Sequence, residues 1–186
     1  MHVAPPCARQ AVKEYTFSHA ARASALQAFF NLKTRQTLAM KTAAPPDTAA
    51  SLLIQPASGY AGDVTVQLAF AWLQSGEAVL VDVRTDAERE WVGYVPGAIA
   101  LAWKQWPGMV MNPGFDEGLK GAVPQGIKAV MLCRSGVRSA AAARRANELG
   151  IEAYNILEGF EGDANAQGQR GQRGGWRFWG LPWKQG

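Results

Sequence analysis

The sequence predicts an α/β fold in which helices cover both faces of a central parallel sheet. Short apolar segments alternate along the chain with segments whose apolar residues recur at helical spacing, which is the pattern of repeated strand–helix units. Two of the apolar segments, residues 79–83 and 129–132, are continuous enough to be strands buried on both faces. With 186 residues, 48% of them hydrophobic, the chain is long enough to bury one core.

The first half of the predicted domain contains two helices and two strands. It begins with a helix at Asp63–Gly76, for which Thr65 provides an N-cap and Gly76 a C-terminal stop. The following predicted elements are a strand at Val79–Val83, a helix at Asp86–Trp91 and a strand at Ala98–Leu101. Because each strand is followed by a crossover, these strands are expected to pair in parallel.

Residues 103–126 are predicted to be a structured loop that contains a short helix at Asp116–Lys120. The loop is rich in aromatic residues, among them Trp103 and Trp106. Two interpretations are equally open. The aromatic side chains form a wall of a binding pocket, or they serve ordinary loop packing.

A strand, a tight loop and a helix follow, and the rest of the chain is organised around them. Ala129–Leu132 is the strand, Cys133–Arg138 the loop, and Ser139–Leu149 an alanine-rich helix with Gly150 as its C-terminal stop. The last predicted strand is Ala153–Leu157. Ligands of parallel sheets bind beyond the carboxyl ends of the strands, so the loop lies where a site is expected.

Cys133, the first residue of this loop, is the candidate nucleophile. The backbone N–H groups of a tight loop and the positive end of the helix dipole stabilise an anion, and Arg134 and Arg138 add positive charge. Such surroundings lower the pKa of a cysteine thiol from about 8.5 to roughly 3.5–7.5. A lone cysteine is more often a small buried hydrophobe. Here the two arginines and the loop favour a reactive thiolate.

Three motifs resemble those of the rhodanese family of sulfurtransferases. Residues 133–138, Cys-Arg-Ser-Gly-Val-Arg, resemble the active-site loop of that family. Residues 79–84, which end in Asp-Val-Arg, resemble its first central strand. Glu88 and the Pro-Gly-Ala turn within residues 95–99 resemble the acidic position and the turn that follow. The resemblance covers roughly Asp63 to Gly162 and implies the rhodanese-like three-layer fold.

The resemblance implies a sulfurtransferase in which Cys133 carries a persulfide. A small donor such as thiosulfate supplies the sulfur, and cyanide, a thiol or a sulfur-carrier protein accepts it. The N–H groups of residues 134–138 are suited to hold the charged terminal sulfur. Arg134, exposed at the loop, is suited to the sulfonate of the donor, whereas Arg138 fixes the loop with Glu88 as its partner.

The other residues of the predicted site have supporting roles. Asp82 and Arg84 are interpreted as organising the structure rather than taking part in the chemistry. Hydroxyl hydrogen bonds are expected from Ser135 or Ser139. The substrate-binding loop is completed by Gly136 and Val137. No metal ion and no cofactor other than the covalent persulfide are expected.

Two other functions remain as alternatives. Phosphatases and arsenate reductases of the same fold attack an oxyanion with a similar loop, but their loop has one residue more than the six of Cys133–Arg138. Non-catalytic binding modules of the family usually lack the cysteine. Both histidines, His2 and His19, lie outside the predicted domain, so a histidine general base is not expected in the core.

The predicted domain covers residues 57–162 and is flanked by two other segments. Residues 1–56 are predicted to be a disordered extension, with Met40 as an alternative start. Residues 163–186 are predicted to be a glycine-rich loop, flexible at Gly168–Gly175, and a tryptophan-rich tail. The aromatic residues expected to fasten this tail to the domain are Trp176, Phe178, Trp179 and Trp183.

Charge and cysteine content limit the expected partners and location. The formal charge of +4 arises within residues 1–39, because five basic residues and one acidic residue lie there. A basic face for nucleic acid is therefore not expected. Without a run of eighteen apolar residues, no membrane span is expected either. Cys7 and Cys133 are too few for a disulfide framework. A cytoplasmic location is predicted, with organellar targeting by the extension as the alternative.

Overall fold

The computed structural model describes residues 54–186. Residues 1–53 of the predicted extension, including Met40, lie outside the described residues. The helices are α1 (Val66–Ser75), α2 (Asp86–Val92), α3 (Phe115–Ala122) and α4 (Val137–Glu148). The strands are β1 (Gly62–Val64), β2 (Ala78–Asp82), β3 (Ile99–Ala100), β4 (Lys104–Gln105), β5 (Val110–Met111), β6 (Lys128–Leu132) and β7 (Ala153–Ile156).

A central sheet of five strands has the order β1-β7-β6-β2-β3, and each of its pairs is parallel. This confirms the predicted α/β architecture. The register aligns Asp82 of β2 with Leu132 of β6, so the two chains leave the sheet at the same edge. The residues that follow them, Val83 and Cys133, therefore emerge as neighbours. β4 and β5 form a separate antiparallel hairpin.

Alternate residues of β6 enter two different cores on the two faces of the sheet. Val130 and Leu132 pack in one core with α1, whose buried residues include Leu68, Ala69 and Trp72. Ala129, Met131 and Cys133 pack in the other core, against the helices α3 and α4. The alternation follows from the two-residue period of a strand. Cys133 thus belongs to the face that α4 covers.

The alanine-rich character of α4 explains how closely it approaches the sheet. Ala142, Ala143 and Ala146 are fully buried against the second core. Small side chains let the helix lie near the strands, while alanine has the highest intrinsic helix propensity. This packing fixes the N-terminal end of α4, which is the end that faces the carboxyl edge of the sheet.

Two helix boundaries differ from the sequence prediction. The predicted helix at Asp63–Gly76 begins only at Val66, because Gly62–Val64 pairs as a strand with β7. Thr65 is the N-cap as predicted, and its own backbone is extended, as is typical of an N-cap residue. α4 begins at Val137 rather than at Ser139, so the last two residues of the predicted loop are its first helical turn.

The C-terminal segment is tied to the domain by backbone and side-chain hydrogen bonds. Trp176 is fully buried in the core that contains α1, and its Nε1 donates to the carbonyl of Pro182. The glycine-rich stretch, predicted to be flexible, is instead held: the Gly171 N–H donates to the Glu161 carbonyl and the Gly175 N–H to the Glu158 carboxylate.

The aromatic residues of the tail differ in how far they are buried. Trp183 packs partly buried against the core that contains α1. Phe178 keeps 47% of its surface exposed and contributes less to fastening the tail than predicted, whereas Trp179, 38% exposed, donates its Nε1–H to the Glu158 carboxylate at 2.6 Å. Among residues 54–186, no helix is long and apolar enough to cross a membrane.

Candidate active site

Cys133 lies at the carboxyl end of β6 and is almost completely buried. Its Sγ accepts a hydrogen bond from the Gly136 N–H at 3.2 Å and lies 3.1 Å from the Ser139 hydroxyl oxygen. Gly136 is the residue immediately before α4 and has φ +95°. The sulfur therefore sits inside the turn that opens the helix, where N–H groups and the helix dipole stabilise negative charge.

A neighbouring segment, residues 157–161, is joined to the loop by backbone hydrogen bonds. The N–H groups of Phe160 and Glu161 donate to the carbonyls of Cys133 and Arg134 at 2.8 and 2.9 Å. Gly159 lies so close to the loop that a Cβ placed on it would be 2.5 Å from the Cys133 carbonyl oxygen. The carbonyls of Cys133 and Arg134 thus point toward this segment.

A chain of buried polar groups leads away from Cys133 beneath the sheet edge. Asn155 Oδ1 lies 2.6 Å from Ser139 Oγ, and the Asn155 Nδ2 group donates to the Asp63 carboxylate at 2.8 Å. The Tyr60 hydroxyl donates to the same carboxylate oxygen at 2.8 Å. The amide orientation of Asn155 is fixed by these partners. Its carbonyl oxygen and the Gly136 carbonyl, 2.9 Å from Ser139 Oγ, both compete with Cys133 Sγ for the single hydroxyl proton of Ser139.

Arg138 is held by Glu88 through two short hydrogen bonds, of 2.8 Å and 2.6 Å. Glu88 also accepts from the Thr85 N–H, completing a capping box at the start of α2. Burial alone would raise the pKa of Glu88, but the bonds from Arg138 and Thr85 outweigh it and lower this pKa to about 2. The pKa of Arg138 is raised, chiefly by its bond to Glu88. The pair is therefore fully ionised at neutral pH.

Asp82 and Arg84 form a fully buried ion pair beside the site. Arg84 Nη2 donates to the Asp82 carboxylate at 2.6 Å and to the Gly93 carbonyl at 2.8 Å. Its guanidinium also lies 4.0 Å from the centre of the Phe160 ring. Nη1 has no hydrogen-bond partner among the described residues. The pair links β2 to Gly93, which follows α2, and to Phe160 of the core that contains α1.

Cys133 opens onto a cavity of about 890 Å³, which we call the Cys133 cavity. One wall comes from α2, a second from the β4–β5 hairpin, and the floor from the loop and the first turn of α4. The tail contributes a single residue, Arg170. The lining residues are Thr85, Ala87, Glu88, Trp91, Val92, Trp106, Met109, Cys133, Arg134, Ser135, Val137, Arg138 and Arg170.

The structure brings most of the predicted site residues together around this cavity. The predicted loop residues and Glu88 line it or, in the case of Gly136 and Ser139, contact the sulfur directly. Asp82 and Arg84 do not line it. Of the two loop tryptophans, Trp106 lines the cavity, whereas Trp103 packs edge-on against Phe115.

Several residues of the site were not identified from the sequence. Asn155 lies in the middle of a short strand, and nothing in the local pattern marks it as a neighbour of Ser139. Trp91 appeared only as the last residue of the predicted helix Asp86–Trp91. Arg170 belongs to a glycine-rich stretch far along the chain, and only the folding back of the tail places it in the cavity. No cluster of metal-ligating side chains occurs within residues 54–186.

The fold and the site define a class of α/β proteins with a buried cysteine in a strand–loop–helix cradle. The chain belongs to the rhodanese-like domain family, whose model matches residues 65–166, more than half of the chain. The crystal structure of Rv0390 from M. tuberculosis is similar, with 42% sequence identity and a TM-score of 0.63 over 68% of this chain and 99% of that one.

A further relative is an uncharacterized protein of Rickettsia conorii, which is 35% identical over 121 residues. The match covers 60% of this chain and 87% of that protein. A rhodanese-like domain protein from Staphylococcus aureus has a similar solved structure, with 22% identity, a TM-score of 0.43, and coverage of 67% of this chain and 97% of that one.

Proposed function

We propose that this protein is a sulfurtransferase that carries sulfur as a persulfide on Cys133. The observation that carries the proposal is the environment of Sγ, which accepts the Gly136 N–H and contacts the Ser139 hydroxyl within a six-residue loop at the base of a cavity. The Gly136 N–H stabilises negative charge on sulfur, and the Ser139 hydroxyl does so when its proton points to Sγ rather than to another acceptor. The thiolate is the nucleophilic form of cysteine.

In the proposed reaction the Cys133 thiolate attacks the outer sulfur of thiosulfate. The S–S bond of thiosulfate breaks, sulfite leaves with the bonding electron pair, and a persulfide anion remains on the enzyme. A nucleophilic acceptor, such as cyanide, a small thiol or a sulfur-carrier protein, then takes the terminal sulfur and restores the thiolate. No cofactor or metal ion is needed for either step.

The state of Arg138 supports sulfur transfer over phosphate chemistry. A phosphatase of this loop type needs an arginine whose N–H groups are free to bind the oxygens of the phosphate. Here two nitrogens of Arg138 donate to Glu88, a carboxylate that is ionised at neutral pH. The loop is also one residue shorter than phosphatase loops, which suits a single sulfur atom.

The test is sulfur loading of Cys133, read by intact mass. Purified protein incubated with thiosulfate should gain the mass of one sulfur atom, and cyanide should remove it with formation of thiocyanate. Cys133→Ser should gain nothing, because a hydroxyl group is a poorer nucleophile and is not ionised at this pH. Cys7→Ser is the matched control and should load as the unmodified protein does.

Two outcomes would contradict the proposal. If the protein acquires no sulfur from thiosulfate, mercaptopyruvate or a cysteine-desulfurase donor, the site does not transfer sulfur, and the domain is a non-catalytic binding module. If it instead hydrolyses an aryl phosphate through Cys133 without any sulfur adduct, the site is that of a phosphatase.

A further inference from the structure

The hydrogen bonds beneath Cys133 fix which groups can donate and which must accept. Ser139 Oγ lies 3.1 Å from Cys133 Sγ and 2.6 Å from Asn155 Oδ1. The Asn155 amide nitrogen donates to the Asp63 carboxylate at 2.8 Å, because the opposite orientation would bring two acceptor oxygens together. The amide oxygen of Asn155 therefore faces Ser139. Both Ser139 and Asn155 are buried, so a contact between two lone pairs costs free energy here.

With a neutral thiol on Cys133, each contact of this chain contains one proton. The Cys133 S–H donates to Ser139 Oγ, and the Ser139 O–H donates to Asn155 Oδ1. A thiolate leaves the chain one proton short, since the single Ser139 proton must then serve two short contacts. If the hydroxyl turns to Sγ, two oxygens 2.6 Å apart face each other with no proton between them. If it does not turn, its lone pairs face the charged sulfur.

We propose that Asn155 is a positioning residue for the reaction of Cys133, and that it acts through Ser139. Its amide oxygen holds the hydroxyl while the sulfur is neutral and opposes the turn toward Sγ when the sulfur becomes charged. Ser139 keeps its proton throughout, because only the acceptor of its hydrogen bond changes, and the thiol proton leaves to solvent. The proposal rests on the proposed function to the extent that sulfur transfer uses the Cys133 thiolate.

This arrangement favours the movement of negative charge away from Sγ. In the proposed reaction the attacking Sγ becomes the inner sulfur of the persulfide, and the charge passes to the terminal sulfur. The Ser139 hydroxyl can then return to Asn155, while the backbone N–H groups of the loop stabilise the terminal sulfur. Asn155 thus destabilises the thiolate before the reaction without destabilising the persulfide that follows.

The other ionisable groups around the site keep their charge while Cys133 is titrated. Carboxylate and guanidinium groups in ordinary surroundings do not titrate between about pH 6 and 9. Burial and the bond to Asp63 raise the pKa of Tyr60, which stays neutral. No histidine lies within residues 54–186. The charged groups are Arg134 and Arg138 beside the sulfur, Glu88 on α2, the Asp82–Arg84 pair at the end of β2, Asp63 on β1 and Arg144 over the Tyr60 ring.

The experiment measures the rate of alkylation of Cys133 by iodoacetamide against pH, in the full-length chain with Cys7→Ser. The midpoint of this profile is the pH at which half of the thiol has ionised. Asn155→Leu should lower the midpoint by roughly half to one pH unit, because the Ser139 hydroxyl loses its nearest competing acceptor and keeps only the Gly136 carbonyl at 2.9 Å. In a Ser139→Ala background, Asn155→Leu should leave the midpoint unchanged.

Asp63→Ala is a second variant, which retains Asn155 but releases its amide. The Asn155 nitrogen can then turn toward Ser139, so the midpoint should again fall, and this fall should disappear in the Ser139→Ala background. Loss of the Asp63 charge acting through space would instead lower the midpoint in both backgrounds. Tyr154→Phe is the matched control, since Tyr154 lies in the same strand and its hydroxyl donates to Glu152. It should leave the midpoint unchanged.

Alkylation requires no sulfur transfer, so the experiment separates this proposal from the proposed function. Thermal melting establishes that each variant is folded. An unchanged midpoint in Asp63→Ala and in folded Asn155→Leu, or a shift that persists in the Ser139→Ala background, would overturn the role of Asn155. If no donor loads Cys133 with sulfur, sulfur transfer is refuted, while a shift that depends on Ser139 still supports the positioning role.

Discussion

Glu88 and Arg138 form a two-point ion pair that joins the start of α2 to the start of α4. Glu88 Oε2 accepts from Arg138 Nη1 at 2.8 Å, and Oε1 accepts from Nη2 at 2.6 Å. The same carboxylate caps α2 through Thr85. One side chain thus sets the position of two helices whose N-terminal ends border the Cys133 cavity. The loop that holds the sulfur is fixed by this pair at its helical end.

Replacement of Glu88 by Gln should destabilise the protein in a pH-dependent way. The pKa of Glu88 falls from 4.5 to about 2 on folding, so its ion pair contributes stability that is fully present above about pH 4.5. That contribution is lost as the pH falls toward 2. A shift of this size corresponds to about 3 kcal/mol. Urea unfolding should show a large difference between Glu88→Gln and unmodified protein at neutral pH.

The difference in unfolding free energy between Glu88→Gln and unmodified protein should then shrink progressively as the pH falls from about 4.5 to about 2. Glu90→Gln is a suitable control, because Glu90 lies in the same helix, is exposed and forms no ion pair among the described residues. A difference that is constant from neutral pH down to pH 3 would contradict the role assigned to the Glu88–Arg138 pair.

Gly136→Ala should disrupt the loop around Cys133. Gly136 has φ +95°, a conformation that strains any residue with a Cβ. A Cβ at this position would also lie 2.3 Å from the Leu157 carbonyl oxygen, which is backbone and cannot easily move. The N–H that donates to Sγ would be displaced. Sulfur loading should fall at least tenfold, and the melting temperature should drop.

The control for this variant is Gly126→Ala. Gly126 also has positive φ, at +79°, but no atom lies within 4 Å of the Cβ position, and the residue precedes β6, at the end of the strand opposite to the loop. It should lose some stability through backbone strain and retain sulfur loading. Equal loss of loading in the two variants would show that the effect of Gly136→Ala is one of general stability.

Local patterns in the sequence were sufficient to predict four of the five strands of the central sheet, the caps of α1 and the nucleophile loop. The apolar segments at 79–83 and 129–132 became adjacent parallel strands, and Thr65 and Gly76 bound α1 as expected. These features depend on residues close together in the chain. The loop around Cys133 is of the same kind, because its strand, turn and helix are consecutive.

Apart from the short β4–β5 hairpin, the missed features depend on contacts between distant segments. β1 is only three residues long, and its extended form is fixed by pairing with β7 rather than by its own pattern. Asn155 approaches Ser139 through the order of strands in the sheet. Arg170 reaches the cavity because the tail folds back over residues 158–162. No single-sequence pattern encodes these placements.

Ser139→Ala should slow sulfur loading by about tenfold while leaving the protein folded. The variant removes the hydroxyl that lies 3.1 Å from Sγ, and the loss of one hydrogen bond to a charged group costs about 1.5–3 kcal/mol. It also leaves the Asn155 carbonyl oxygen without its Ser139 partner, so a lower melting temperature is expected. Rates of persulfide formation at saturating and at low thiosulfate would separate chemistry from donor binding.

For Ser139→Ala, the expected result is a reduced maximal rate, since the hydroxyl contacts the nucleophile rather than the donor. Ser75→Ala, at the exposed end of α1, is the matched control. If Ser139→Ala loads sulfur at the normal maximal rate, the hydroxyl stabilises the structure through Asn155 and does not assist the reaction of Cys133.

Asp82 and Arg84 should behave as a structural unit in a double-mutant cycle. Removing one partner of a buried ion pair leaves an uncompensated charge and costs about 3–5 kcal/mol, whereas replacing both by apolar residues is often nearly neutral. Asp82→Leu and Arg84→Met should therefore each be strongly destabilising, and the double variant less so than the sum. Unfolding free energies measure this. The folded double variant should still load sulfur on Cys133. If sulfur loading is lost in a variant that is folded, the pair takes part in the chemistry.

Arg134→Ala should weaken the reaction of Cys133 with anions while sparing its reaction with uncharged reagents. Arg134 is exposed in the cavity and forms no ion pair among the described residues, so its charge is available to an anionic donor. Loss of one charge-assisted contact predicts a penalty of about 1.5–3 kcal/mol, equivalent to roughly 10- to 150-fold in kcat/KM for thiosulfate.

Alkylation of Cys133 in a Cys7→Ser background isolates the charge effect of Arg134. Iodoacetate and iodoacetamide react by the same displacement and differ mainly in charge. Arg134→Ala should slow iodoacetate relative to iodoacetamide, because only the anion gains from the guanidinium. Arg173→Ala, an exposed arginine that does not line the cavity, should leave the ratio of the two rates unchanged. If both reagents slow equally in Arg134→Ala, the residue shapes the loop and does not bind the anion.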